Sequence, residues 1–159
     1  MGSSTIEPGR DMASLGPVLD AERLTPPFAP AVAGRIAFFF GPIAGALVSV
    51  VSLRRIGHPL RARQVLRWTI AVAAVMSLVL ILLPNGLGRL FGFVAEITFY
   101  TVYPKLQNDE FAIWQTANPG VEPSNGWKAL GWGFLGAILF FVVAILIAIP
   151  LGIFFPGLF

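Results

Sequence analysis

A single carboxylate, Glu96, interrupts the apolar stretch GLGRLFGFVAEITFYTVY (86–103), and its setting decides what chemistry the chain can perform. Counted from Gly86 along a helix that rises about 1.5 Å per residue, Glu96 lies roughly 15 Å deep, near the middle of a hydrocarbon layer about 30 Å thick. An acid at that depth must face protein or water, and it is a functional-site hypothesis by default. Arg89, Gly92, Glu96, Tyr100 and Tyr103 share one face by their spacing. Tyr100, at i+4, is the nearest local hydrogen-bond partner, whereas Arg89 is two turns away. Three readings stay open. In the first, Glu96 is a proton or cation site; in the second it is a hydrogen-bonded carboxyl that locks its helix to neighbours; in the third it is a catalytic acid. The lack of a second acid, histidine or lysine at similar depth favours the second.

Other chemistry is scarce. The chain has one histidine, His58 in IGHPLRAR, and no cysteine. No second histidine or suitably placed carboxylate completes a metal set around His58, which reads as a solvated loop residue. Neither G-x-S-x-G, a phosphate-binding Walker loop nor H-E-x-x-H is present. The expectation is therefore a protein that is not an enzyme, with no catalytic residue, metal or cofactor. Five arginines (Arg54, Arg55, Arg61, Arg63 and Arg67) crowd one short connector. Nucleic acid is a poor explanation, because outside that connector six basic residues face eight acidic ones. The cluster reads instead as a topology signal, with contact to anionic lipid headgroups adding about 1 kcal/mol per basic residue.

These residues must be positioned by apolar elements. Of 159 residues, 56% are hydrophobic and 12% charged, with a mean hydropathy of +0.78; a soluble domain carries about 25% charged residues. Runs of the length a bilayer requires, about 20 residues, predict helices over roughly 34–54, 65–83, 87–103 and 128–149. The expected fold class is all-α, an integral membrane four-helix bundle spanning 31–159. Residues 1–30, with five prolines, form an irregular tail. Arginine-rich connectors stay cytoplasmic, which puts 54–67 and 104–128 inside, the turn 83–88 outside, and both termini outside. Within 104–128, Asn108 or Asp109 caps a short helix through Ala117, stopped by Asn118-Pro119-Gly120. Phe111 and Trp114, at i and i+3, suit an interfacial helix, although an ordinary loop with two tucked aromatics fits equally. Trp68, Trp114, Trp127, Tyr103 and the terminal GIFFPGLF fall at expected boundaries, as an aromatic belt does.

Helices in lipid associate through close backbone approach rather than through hydrophobic burial. Ala33, Ala37, Gly41, Gly45 and Ser49 recur every four residues, forming a ridge of small side chains, with Pro42 inside it expected to kink the helix. Gly133, Ala137, Ala144, Ala148 and Gly152 make a similar seam on the last helix. Such seams serve either packing within one bundle or docking to a partner or a second copy.

The segments FFFGPIAGALVS, LRRIGHPLRARQVL and NPGVEPSNGWKALGWGFLG resemble a loose group of small bacterial multi-pass inner-membrane proteins of unknown function. That group shows a Gly-Pro in the first helix, an Arg-x-Gly-x-Pro connector and a Ser-x-Gly-Trp lead-in to the last helix. Here these match Gly41-Pro42, Arg55-Ile56-Gly57-His58-Pro59 and Ser124-Asn125-Gly126-Trp127, over about two-thirds of residues 31–150. One departure is the missing asparagine before the arginines. The resemblance implies a bacterial inner-membrane location and brings no activity. The expected role is a structural or accessory membrane subunit. Its partners would be lipids and other membrane proteins or copies of itself, and no nucleic acid. The alternative is a small oligomeric transporter or channel working through Glu96.

Overall fold

The computed structural model describes residues 25–83 and 85–154, which form six helices and no strand. They are α1 Pro30–Phe40, α2 Pro42–Ile56, α3 Pro59–Leu82, α4 Asn85–Lys105, α5 Asn108–Ala117 and α6 Trp127–Phe154. The described chain is all-α, as expected. The expected tail lies largely outside the described residues, as do Pro84 and the last five residues of the chain.

The single span predicted over 34–54 is instead two helices folded back on each other. Proline stands first in α1, α2 and α3, where its missing N–H would have no intrahelical partner and its fixed φ suits a first turn. Pro42 therefore starts a helix rather than kinking one. Gly41 makes the reversal, with φ 88° and ψ 174°, a region essentially reserved for glycine. The fold-back brings the far ends together: Ser52 Oγ donates to the Phe28 carbonyl at 2.9 Å, and Arg55 Nη1 to that of Pro26 at 3.0 Å. Ala33 and Ala37 now face Gly45 across the hairpin. A Cβ on Gly45 would collide with the Ala37 methyl and stand 3.0 Å from the Ala33 carbonyl and 2.9 Å from Tyr103 Cδ2. The ridge of small residues is thus two facing halves, not one face.

The hairpin is the core of one end of the molecule. From Pro42 to Leu53 only Leu47 escapes burial. α1 packs on α4, and α2 packs on α3 and α6. α3 and α4 run antiparallel, meeting at Leu80 and Gly92 near their turn and through Thr69 and Tyr103 at the other end. α6 starts beside α1, where Gly126 lies against Val32, and climbs past the hairpin tip. The Phe40 ring fills the space a Cβ on Gly133 would need, and the Ala44 backbone does the same at Gly136. Beyond Gly136 no residue of α6 is fully buried: a stripe that includes Ala137, Phe140, Ala144 and Ile147 is half-buried and the rest is exposed.

Two helices are long and apolar enough to cross a membrane: α3, with 24 residues and a peak hydropathy of 2.3, and α6, with 28 residues and 3.0. None of α6's most apolar stretch is buried within the described residues. At about 1.5 Å per residue, α1 (11 residues) and α2 (15 residues) reach about 16 and 22 Å. Neither crosses a layer about 30 Å thick.

Candidate functional site

The polar side chains gather at the end where the hairpin begins and finishes. The extended segment before α1 and the loop before α6 meet there: Phe28 and Ser124 form a parallel bridge, and Ser124 N donates to the Pro27 carbonyl at 2.9 Å. Arg55 closes this clasp. Its Nη1 reaches the Pro26 carbonyl and Ser124 Oγ (3.2 Å), and its guanidinium lies 4.9 Å from the centre of the buried Phe28 ring. Ser124 Oγ also donates to the Pro26 carbonyl. Arg55 was expected to contact anionic lipid; it is turned inward because the fold-back supplies carbonyl acceptors at its own level.

A second cluster ties α5 and α4 to the hairpin. Gln107 is fully buried at the start of α5 and donates Nε2 to Ser49 Oγ at 3.3 Å. The helix lies where expected, Asn108–Ala117, but its flanking residue is Gln107, with no side-chain cap. Three residues on, Glu110 is buried and forms an ion pair with Arg61, so Arg61 too has a protein partner. Gln107 Oε1 and Glu110 Oε2 have no donor among the described residues. Phe111 packs inward beside Trp114, with ring centres 5.7 Å apart. Tyr103, expected at an aromatic belt, is 2% exposed and joins three helices. Its hydroxyl donates to the Pro42 carbonyl at 2.7 Å and lies 3.1 Å from Thr69 Oγ1. A carbonyl can only accept, so the tyrosine hydrogen goes to Pro42 and Thr69 donates to the tyrosine oxygen.

The polar stripe of α4 is not assembled into one site. Arg89 is exposed near the opposite end of the molecule; Glu96 is half-buried without a hydrogen-bond or ion-pair partner among the described residues. Tyr100 is exposed and meets the Phe38 ring edge-on at 6.1 Å rather than Glu96. Arg54, Arg63 and Arg67 are exposed, and so is His58. Trp68 and Trp127 stand out from the surface at 73% and 77% exposure. Ala37, Gly45 and Ser49 are consumed inside the hairpin, and Gly133 is buried against Phe40. Ala137 is half-buried; the tightest approach belongs to Gly136, which the four-residue spacing passed over. Among the described residues no group of three or more His, Cys, Asp or Glu is placed to hold a metal ion.

No protein-family model, curated protein or solved structure matches the chain.

The basic residues define an axis. Gly34 lies against the Tyr100 carbonyl and Pro104, and Val32 against Gly126, so the start of α1, the end of α4 and the start of α6 share a level. Every described lysine and arginine except Arg89 stands toward that end: Arg35, Arg54, Arg55, Arg61, Arg63, Arg67, Lys105 and Lys128. A cluster of cationic side chains at one end can attract anionic groups.

Proposed function

We propose a non-enzymatic multi-pass protein of the bacterial inner membrane, an accessory subunit that offers α6 as its docking helix. The observation carrying this reading is the exposed apolar face of α6 past Gly136. The first small-residue seam and Gly133 are consumed internally, so docking falls to the apolar faces that the hairpin does not reach, where Ala144, Ala148 and Gly152 are only half-buried. In this reading α3, α4 and α6 cross the bilayer and the α1–α2 hairpin enters and leaves from one side. The arginine-rich end is cytoplasmic. The chain then leaves residue 25 inside and Phe154 outside, in place of the expected topology with both ends outside.

The absence of cysteine makes the test direct. Single cysteines placed at Thr25 and Gln64 are expected to react with an impermeant maleimide from one side of the membrane, and one at Ile153 from the other. A cysteine at Ile145 is expected to cross-link to a neighbouring membrane helix. Labelling of Thr25 and Gln64 from opposite sides would overturn the three-crossing reading; an Ile145 cysteine that cross-links to nothing would overturn the docking role.

A second reading, a small oligomeric transporter or channel, draws on Glu96, an acid with no partner among the described residues on a helix expected to cross the bilayer. Loss of flux in proteoliposomes on Glu96→Gln, with normal assembly, would establish it over the first.

A further inference from the structure

We propose that Arg35 anchors the phosphate of a bound anionic phospholipid whose two acyl chains lie on either side of Phe39. This inference rests on the membrane reading above. Arg35 stands on the exposed side of α1 and has no hydrogen-bond or ion-pair partner among the described residues. Two hollows open from it. One, of about 610 Å³, lies between α1 and α6, walled by Ile36, Phe40 and Leu130. The other, of about 440 Å³, lies between α1 and α4, walled by Phe38, Ile97 and Tyr100. Arg35 and Phe39 line both.

The direction of the helix suits a lipid. α1 runs from the basic end toward the hairpin tip, and side chains on a helix tilt toward its N-terminus. The Arg35 guanidinium therefore leans toward the headgroup level, while Phe39, one turn further on and 76% exposed, stands as a wedge between the hollows. Donors gather at the same rim. Asn125 and Trp127 line the larger hollow, and Asn125 Oδ1 accepts the Trp127 backbone N–H at 3.1 Å, which leaves the Asn125 NH₂ to donate. Beyond the tip, α4 and α6 scarcely touch, so two chains have room to continue. A free phosphate would use the arginine and leave both apolar hollows empty. One cation between two apolar hollows, with no acidic residue lining either, matches one phosphate carrying two chains.

The full-length chain, extracted in mild detergent and read by native mass spectrometry, tests this with defined lipids. Phosphatidylglycerol is expected to be retained about tenfold over diacylglycerol of the same chains, which lacks the phosphate, the scale of one charge-assisted contact. Arg35→Ala is expected to erase that preference. Lys105→Ala removes an equal charge from the same end but lines neither hollow, and is expected to keep it. Ile97→Trp fills the smaller hollow and is expected to shift retention toward single-chain lysophosphatidylglycerol. Equal retention by Arg35→Ala and the unaltered chain would overturn the proposal, as would competition by glycerol phosphate as effective as that by the lipid. A chain that alkaline carbonate strips from membranes would overturn the membrane reading and this inference together. A membrane-integrated chain with no Arg35-dependent retention would overturn this inference alone.

Discussion

Arg55 and Tyr103 hold the hairpin at its two ends, and each does so through backbone carbonyls that the fold-back exposes. Tyr103→Phe removes the hydrogen bond to Pro42 and strands the Thr69 hydroxyl. At about 1 kcal/mol per lost bond and 1–3 kcal/mol for a buried group left unpaired, a clear drop in melting temperature in detergent is expected. Arg55→Ala removes a cationic donor from two oxygens and from the Phe28 face. A cost of about 2 kcal/mol should appear first as faster proteolysis around residues 26–28, ahead of global unfolding. Gly45→Val has nowhere to place its side chain, with Ala37 and Tyr103 already in contact. Overpacking of this kind costs about 1–3 kcal/mol, and thermal unfolding of the variant beside Ala71→Val, at an exposed position of α3, would measure it. Little of this was legible from residue types. Arg55 looked like its four neighbours in the connector, and nothing in Gln107 or Glu110 marked them as buried, because their partners Ser49 and Arg61 are distant in sequence.

Periodicity located the helices well and misjudged one connection. The short helix Asn108–Ala117 ended where Asn118-Pro119-Gly120 predicted, since those residues stop a helix by local chemistry alone. Gly41-Pro42 was harder. A proline in an apolar run is compatible with a kink or with a new start, and the four-residue recurrence of small side chains continues in phase across it. What separates the two is the backbone at Gly41, a conformation no spacing pattern reports. Replacing both residues by alanine removes the φ-positive reversal and restores an N–H at position 42. The expected outcome is a continuous helix over roughly 34–54 that crosses the membrane and moves the chain's start to the other side. An N-terminal reporter active only outside the cytoplasm would detect the inversion; an unchanged reporter would show that the packing of α1 on α4 suffices to hold the hairpin.

For the whole molecule, the asymmetry is one of filling. The basic end is dense, with α2 buried nearly all round, whereas the other end has α3, α4 and α6 with no helix between α4 and α6. Substitutions of equal size should therefore differ by location. Gly136→Leu, against the Ala44 backbone, is expected to destabilise the fold by about 1–3 kcal/mol, whereas Gly86→Leu, at the other end where an added Cβ meets nothing within 4 Å, should leave the melting temperature nearly unchanged. The gross apolar layout was plain from composition; the unequal filling depends on which helices are short, and that followed from the reversal. The same reversal orders events during synthesis. α1 packs on α2, made just after it, and on α4, which leaves the ribosome long after it, so one face of α1 waits uncovered while α3 is made. Nascent chains arrested before Tyr100 should leave α1 open to a membrane-inserted photo-crosslinker, and chains extended past Lys105 should shield it.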